Sequence, residues 1–143
     1  MPKEQLIGTW NLISSELHSG EHVLYPLGKD CQGLLVLDGH GNLSAHLMNP
    51  QRRQFAGGDI LGGTPEEVEE AYRGYVAFWG HYEVDESAQV MRYKVAGSLF
   101  PNWIGHPQER KYVIDGDRLT LTTTPLLIQG NQVVGVLVWQ RAT

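Results

Sequence analysis

The sequence predicts an all-β fold: a single antiparallel up-and-down β-barrel of about eight to ten strands with one short helix. Short apolar, β-prone segments alternate with turn residues along the whole chain. Most of the 17 glycines lie between these segments, where they supply the backbone conformations that tight turns need. Segments joined by such short turns favour antiparallel hairpins, and a closed barrel leaves no sheet edge exposed.

The predicted elements follow one another without a linker or a repeat. A short helical turn over residues 2–6 precedes the first strand, and turns such as Asp38 to Asn42 and Asp115 to Asp117 join the later ones. Residues 125–131 interrupt the pattern before the last strand. Strands are predicted over residues 8–18, 22–25, 31–37, 43–48, 76–84, 90–95, 109–114, 119–124 and 133–141.

One segment carries a clear helix signal. Thr64 is a favourable N-cap, Pro65 falls at the first helical position, and Glu67 completes a capping box. Val68 and Tyr72 then follow helical spacing. The glycine-rich segment before this helix, residues 55–63, is either a mobile lid over one mouth of the barrel or simply a flexible connection.

Composition sets the broad class of protein. The 143 residues suit one domain over residues 1–143. The net charge of −5 and the lack of a basic patch exclude nucleic acids and anionic membrane surfaces as expected partners. Cys31 is the only cysteine, so no intrachain disulfide forms. No leader-like segment and no bilayer-spanning apolar run is visible, so we expect a cytoplasmic protein, monomeric or homodimeric.

The two ends of the chain carry a family resemblance. Gly8-Thr9-Trp10 opens the first strand, and Trp139 and Arg141 close the last one. This resembles the lipocalin and calycin arrangement, in which a Gly-x-Trp tryptophan plugs the barrel floor and a basic residue packs across it. The chain is more closely similar to small bacterial and fungal lipocalin-like domain proteins. The matching blocks are residues 8–10, 25–28, 33–35, 41–45, 80–85, 101–105, 117–121 and 139–141.

The resemblance implies the barrel fold and a structural role for Trp10 and Arg141. It implies little about chemistry, although some relatives in natural-product pathways act as cyclases or isomerases.

Large side chains at loops and strand ends are the candidate ligand contacts. The loop of residues 97–106 is rich in aromatic residues and either binds a ligand or covers one end of the barrel. Tyrosine and tryptophan side chains offer an apolar wall with polar atoms at the edge, although such residues are also common in cores. The predicted ligand-binding residues are Tyr25, Met48, Phe55, Tyr75, Trp79, Phe100, Trp103 and Tyr112.

Five residues are candidate acid–base or electrostatic groups. His81 and His46 lie in strands and can face the lumen or the solvent. Glu16 follows Trp10 at strand period, which places it inward near a rim, and Tyr93 adds a hydroxyl. Arg110 either points outward or holds a carboxylate or enolate oxygen inside the barrel.

The sequence lacks the motifs of several other site classes. It has no His-x-His motif, cysteine cluster or paired carboxylates, so we expect no metal site. A phosphate loop, a dinucleotide fingerprint and a nucleophile elbow are also absent, so we expect no cofactor.

Three functions fit these observations. The first is a protein that binds a small, mostly apolar molecule in the barrel lumen. The second is a cofactor-free isomerase or cyclase acting on a polyketide-like or terpenoid-like natural-product intermediate, which requires a histidine or carboxyl group of perturbed pKa in the lumen. The third is a structural or interaction module, which requires an interior filled with side chains.

Overall fold

Eight antiparallel strands close into a barrel because the first strand pairs on one side with its neighbour and on the other with the last strand. The computed structural model describes residues 2–142, so the two ends of the predicted domain, residues 1 and 143, lie outside the described part. The strands are β1 (Gly8–Ser19), β2 (His22–Leu24), β3 (Gln32–Leu37), β4 (Asn42–Met48), β5 (Tyr75–Asp85), β6 (Val90–Ser98), β7 (Pro107–Asp115), β8 (Arg118–Thr123), β9 (Leu126–Ile128) and β10 (Asn131–Arg141).

The strand order confirms the predicted up-and-down barrel. From β3 to β8 each strand pairs with the next one along the chain, and β8 pairs with β10, which returns to β1. Two short strands lie outside the ring: β2 pairs with the C-terminal end of β1, and β9 pairs with the N-terminal end of β10. No helix of residues 2–142 is long and apolar enough to cross a membrane.

One predicted interruption is a strand. The sequence pattern predicts an interruption over residues 125–131, whereas the structure forms a β9–β10 hairpin there. Gln129 and Gly130 both have positive φ, 49° and 82°, which closes the hairpin in two residues. A glutamine in this conformation is uncommon, so the residue types gave no strong turn signal.

The predicted helix is present as α1 (Pro65–Arg73). Thr64 Oγ1 accepts a hydrogen bond from the Glu67 backbone N–H at 3.2 Å, and Glu67 returns the interaction by accepting from the Thr64 N–H at 2.8 Å. This capping box satisfies backbone donors that a helix N-terminus otherwise leaves unpaired. Gly74 ends the helix, and β5 starts at the next residue.

A tryptophan and an arginine close one end of the barrel. Trp10 is completely buried, and its indole Nε1 donates to the backbone oxygen of Leu6 at 3.0 Å. The Arg141 guanidinium carbon lies 4.2 Å from the centroid of the Trp10 ring, and its Nη1 donates to the backbone oxygen of Ile7 at 3.0 Å. This arrangement joins the N-terminal 3-10 turn (Lys3–Leu6) to the last strand.

We expect Arg141→Met to lower the free energy of unfolding by about 1–3 kcal/mol, because it removes the cation–π contact and the hydrogen bonds of a charged donor. Arg92→Met is the matched control, since Arg92 is exposed and its ion pair with Glu109 should contribute less than about 1 kcal/mol. Urea denaturation measures both variants. Equal losses in the two would contradict a specific role for Arg141.

The pairing of β5 with β6 depends on a glycine. The register shifts between Trp79 and Gly80, and a Cβ atom on Gly80 would lie 2.1 Å from the backbone oxygen of Lys94. No real Cβ atom tolerates such a distance, so any side chain here forces the two strands apart.

Gly80→Ala should therefore destabilise the barrel by at least about 2 kcal/mol. The control is Gly58→Ala, where an added Cβ meets nothing within 4 Å, and there stability should be unchanged or raised by up to about 1 kcal/mol. Thermal unfolding followed by circular dichroism distinguishes the two. A Gly80→Ala protein as stable as the wild type would show that the strands adjust freely.

Candidate functional site

The barrel encloses a cavity of about 380 Å³. This volume lies at the lower end of the range typical of small-molecule sites. The interior is therefore not filled with side chains, as a purely structural module would require. Most of the lining is apolar, and its larger aliphatic and aromatic members are Leu17, Leu27, Leu35, Leu47, Val76, Phe78, Leu99, Phe100, Trp103, Leu121, Leu126, Leu127, Ile128, Leu137 and Trp139.

Among residues 2–142, Arg110 is the charged residue of the lining that is buried, whereas Glu16 and Arg73 are not. It lies on β7, alternates with the buried Tyr112, and is only 7% exposed. Its Nη1 donates to the backbone oxygen of Glu109 at 2.9 Å, but no carboxylate of residues 2–142 lies within 4.0 Å of the guanidinium. Burial lowers the pKa of Arg110, since the apolar surroundings disfavour the charge. A guanidinium nevertheless keeps its proton at neutral pH.

Tyr93 stands beside this guanidinium. The Arg110 guanidinium carbon lies 5.4 Å from the centroid of the Tyr93 ring, which is buried. Burial raises the pKa of Tyr93 to about 12, and the neighbouring positive charge acts weakly in the opposite direction. The hydroxyl is therefore neutral at physiological pH and serves as a hydrogen-bonding group rather than as a base.

Two further polar residues line the cavity. Ser15 and Thr123 are both buried, and Thr123 Oγ1 accepts a hydrogen bond from the Gly135 backbone N–H at 2.8 Å. Ser15 points inward because β1 contains a bulge, with a register shift between Leu12 and Ser14. The sequence pattern gave no indication of either residue.

The aromatic loop forms one wall of the cavity. The rings of Phe78 and Trp103 meet edge to face with centroids 5.6 Å apart, and Phe100 and Trp103 repeat this geometry at 5.6 Å. All three residues line the cavity, and Trp103 belongs to the 3-10 turn Pro101–Trp103. The loop thus contributes aromatic surface to the cavity.

Helix α1 contributes Tyr72 and Arg73 to the lining, and Tyr75 follows at the start of β5. The segment before the helix is fastened to it, since the Arg53 side chain and backbone N–H donate to the Glu70 carboxylate at 2.7–2.9 Å. The Ala56 N–H also donates to the Glu67 carboxylate at 2.8 Å. The glycine-rich segment, expected to be either a mobile lid or a flexible connection, is therefore tied to α1 at its N-terminal end.

Trp79 and His81 face away from the cavity. Phe78 and Gly80 pair with Ala45 and Leu43 on the inner face, so strand alternation places Trp79 and His81 on the outer face, where both are exposed. Of the two alternatives for His81, the structure therefore has the solvent-facing one, and Trp79, predicted as a ligand contact, is not part of the cavity lining. One sequence does not determine which face of a strand points inward.

Glu16 is also turned outward. The bulge in β1 reverses the alternation, so that Glu16 pairs with Val136 and its carboxylate lies 2.9 Å from His18 Nε2. Glu16 is among the residues that line the cavity, but its carboxylate is engaged by His18. The strand period that predicted an inward Glu16 fails at the extra residue, Ile13.

His46 and Met48 lie on the outer face of β4, opposite in direction to the inward Ala45 and Leu47. His46 Nδ1 is 3.0 Å from the Tyr75 hydroxyl, and these residues form a shallow groove outside the barrel. The expectation that His46 and Met48 contact a lumenal ligand is therefore not supported by their placement.

Three other predicted ligand contacts lie elsewhere. Tyr25 is partly exposed beside Lys29, whose Nζ is 5.1 Å from its ring centroid. Phe55 packs against Gly63, where a Cβ atom would lie 2.6 Å from the Phe55 ring. Tyr112 is buried in the core without being part of the lining. The predicted residues that line the cavity are thus Glu16, Tyr75, Tyr93, Phe100, Trp103 and Arg110.

The lining also includes Trp139, which lies near the end of the last strand and was not among the predicted ligand contacts. Trp139 alternates with Leu137 and Gly135 along β10, and these residues share the inner face. Among residues 2–142 no group of three histidine, cysteine, aspartate or glutamate side chains is arranged to hold a metal ion.

The raised pKa of Tyr93 predicts an alkaline loss of stability. Below pH 10 the phenol is protonated in both states, but between pH 10 and about 12 the unfolded chain loses the proton while the folded protein keeps it. The free energy of unfolding should therefore fall by about 2–3 kcal/mol over this range through Tyr93.

In Tyr93→Phe this part of the pH dependence should be absent, as measured by urea denaturation at each pH. The control is Tyr25→Phe, which removes a partly exposed phenol and should retain the wild-type slope. Identical slopes in all three proteins would show that Tyr93 titrates normally.

The chain is similar to several known proteins. A family model described as the lipocalin-like domain matches residues 7–142. The 4'-hydroxy-3'-methoxypropiophenone carrier protein ppsC of Aspergillus oryzae is 38% identical over 106 residues, which cover 69% of this chain and 96% of that protein. The crystal structure of Echinococcus granulosus fatty-acid-binding protein 1 covers 98% of this chain and 99% of its own, at 15% identity and a TM-score of 0.45.

The family match extends over almost the whole described barrel, from the first strand to the last. It confirms the resemblance carried by Gly8-Thr9-Trp10 and by the strand that ends in Arg141. The chain belongs to the lipocalin-like domain family.

Proposed function

We propose that this protein carries a small, mostly apolar molecule whose one anionic or strongly accepting oxygen is held by Arg110. The observation that carries the proposal is the buried guanidinium, which opens onto an apolar cavity and has no carboxylate partner in the described chain. A ligand oxygen supplies the missing counter-charge or acceptor.

The energetics support a ligand rather than a structural role for Arg110. Removing a guanidinium from water costs several kcal/mol, and an unpaired buried charge recovers little of that cost. If Arg110 only filled space, an apolar side chain of similar length would make the barrel as stable or more stable. The cost is offset when a ligand places an oxygen against the donors, since charge-assisted hydrogen bonds are strong in an apolar site.

The named relative supports the same ligand class. Its name describes a carrier of 4'-hydroxy-3'-methoxypropiophenone, which is an aromatic ketone with a phenolic hydroxyl. Conjugation with the ketone makes such a phenol unusually acidic, so its oxygen is a suitable partner for a buried guanidinium. An aromatic ring of this size also matches a cavity walled by Phe78, Phe100 and Trp103.

The polar groups of the lining favour carriage over the alternative of an isomerase or cyclase. No histidine is part of the lining formed by residues 2–142, and the carboxylate of Glu16 is directed to His18. Tyr93, with its pKa near 12, is poorly matched to proton transfer at neutral pH. Arg110 orients an oxygen, but it neither accepts nor releases a proton readily.

Arg110→Met tests the proposal with 4'-hydroxy-3'-methoxypropiophenone as the probe. We expect the substitution to weaken binding at least about tenfold, because a hydrogen bond to a charged group contributes about 1.5–3 kcal/mol. The unfolding free energy of the empty protein should be unchanged or higher, since an unpaired buried charge is removed. Isothermal titration calorimetry and urea denaturation measure the two effects.

Two controls make the result specific. Arg92→Met removes an arginine from the outer surface and should bind the probe as the wild type does. The methyl ether 3',4'-dimethoxypropiophenone has no ionisable phenol and should bind wild-type protein and Arg110→Met almost equally. A folded Arg110→Met protein that binds the phenol with wild-type affinity would contradict the proposal.

A further inference from the structure

We infer that the indole N–H of Trp139 is a second recognition point in the cavity, where it donates a hydrogen bond to a neutral carbonyl-type oxygen of the ligand. The inference rests on the proposed function and deepens it, because it specifies a ligand with two separate oxygen acceptors. The first is anionic or phenolic and meets Arg110. The second is uncharged and meets Trp139.

The indole N–H of Trp139 is a buried donor that residues 2–142 leave unpaired. Trp139 is 1% exposed, its Nε1 is buried, and this nitrogen has no hydrogen-bond partner among residues 2–142. An indole N–H can only donate, so the missing partner must be an acceptor. Leaving a buried donor unpaired is costly, and native proteins rarely do so without a ligand or a water molecule to satisfy it.

Trp10 provides an internal comparison. Both tryptophans are buried and belong to neighbouring strands, and Trp10 Nε1 donates to the backbone oxygen of Leu6 at 3.0 Å. Trp10 is not part of the cavity lining, whereas Trp139 is. Trp10, whose indole N–H is paired, thus lies at the closed end of the barrel, whereas Trp139, whose indole N–H is unpaired, belongs to the cavity lining.

The strand register separates Trp139 from Arg110. Trp139 pairs with Leu119 on β8, while Arg110 pairs with Thr123 on the same strand. Four residues of strand correspond to roughly 13 Å between the points where the two donors enter the barrel. The inward residue of β8 between them is the apolar Leu121.

This spacing defines the shape of the ligand. An apolar middle, such as an aromatic ring, lies against Leu121 and the neighbouring Leu137, with one acceptor oxygen towards each donor. We infer a neutral acceptor at Trp139, because its cross-strand partners Leu12 and Leu119 are apolar and no cation of residues 2–142 lies over its ring. Aromatic ketones with a phenolic oxygen at the far end of the ring have this pattern.

Two probes that differ at one position test the inference. The first is 4'-hydroxy-3'-methoxypropiophenone, and the second is 2-methoxy-4-propylphenol, which has a methylene group in place of the ketone. The protein has four tryptophans, so an ¹H–¹⁵N correlation spectrum shows four indole N–H signals, and Trp139→Phe identifies the relevant one. We expect the ketone to move the Trp139 signal downfield, and the propylphenol to leave it nearly in place.

Affinity gives an independent measure. Trp139→Phe keeps an aromatic ring but removes the donor, and it should weaken ketone binding about three- to tenfold while leaving propylphenol binding almost unchanged. The control is Trp79→Phe, since Trp79 is exposed on the outer face and should affect neither probe. If Trp139→Phe folds poorly, the wild-type spectra remain informative. Trp79→Phe then identifies the Trp79 signal, and the response to ligand helps to identify the Trp139 signal among the remaining three indole signals.

The outcomes separate this inference from the proposed function. Equal movement of the Trp139 signal with both probes, or equal weakening of both by Trp139→Phe, overturns the role of the indole. If the Trp139 tests fail in this way but Arg110→Met loses affinity for both phenols, the proposed function is retained without the role of Trp139. If wild-type protein binds neither probe, the proposed ligand class is wrong, and the inference falls with it.

Discussion

The pairing of the first and last barrel strands is the constraint on which the structure depends. β1 forms hydrogen-bonded ladders with β10 and with β3, and these two ladders convert a sheet into a closed ring. Ring closure removes the exposed edges that an apolar sheet would otherwise present to other chains. It also encloses the interior, and the Trp10–Arg141 contact then closes one end.

Enclosure gives the few polar groups of the interior their importance. In water a guanidinium, a phenol and an indole N–H find partners freely, whereas inside an apolar barrel each needs a specific one. Tyr93 remains neutral because burial disfavours its phenolate. Arg110 and Trp139 keep donors that the described protein groups leave unused, and in the proposed function these donors add direction to an otherwise apolar site.

The sequence predicted what depends on local residue types and on overall patterning. The helix followed from the Thr64 capping box, and the barrel followed from short strands between glycine-rich turns. It was less predictable which side chains point into the barrel, because a single extra residue in a strand exchanges the inward and outward positions of all the residues that follow it. The bulge at Ile13 turned Glu16 outward and Ser15 inward, and only the pairing with β10 reveals that shift.

Because strands from both ends of the chain supply the lining, the binding site is among the last features that a growing polypeptide can complete. Ser15 and Leu17 emerge early in synthesis, whereas Leu137 and Trp139 emerge more than a hundred residues later. Contacts between such distant segments form slowly, since the intervening chain must first be ordered. A nascent chain that still lacks β10 therefore has an incomplete cavity, and the cavity is complete only once that strand has been added.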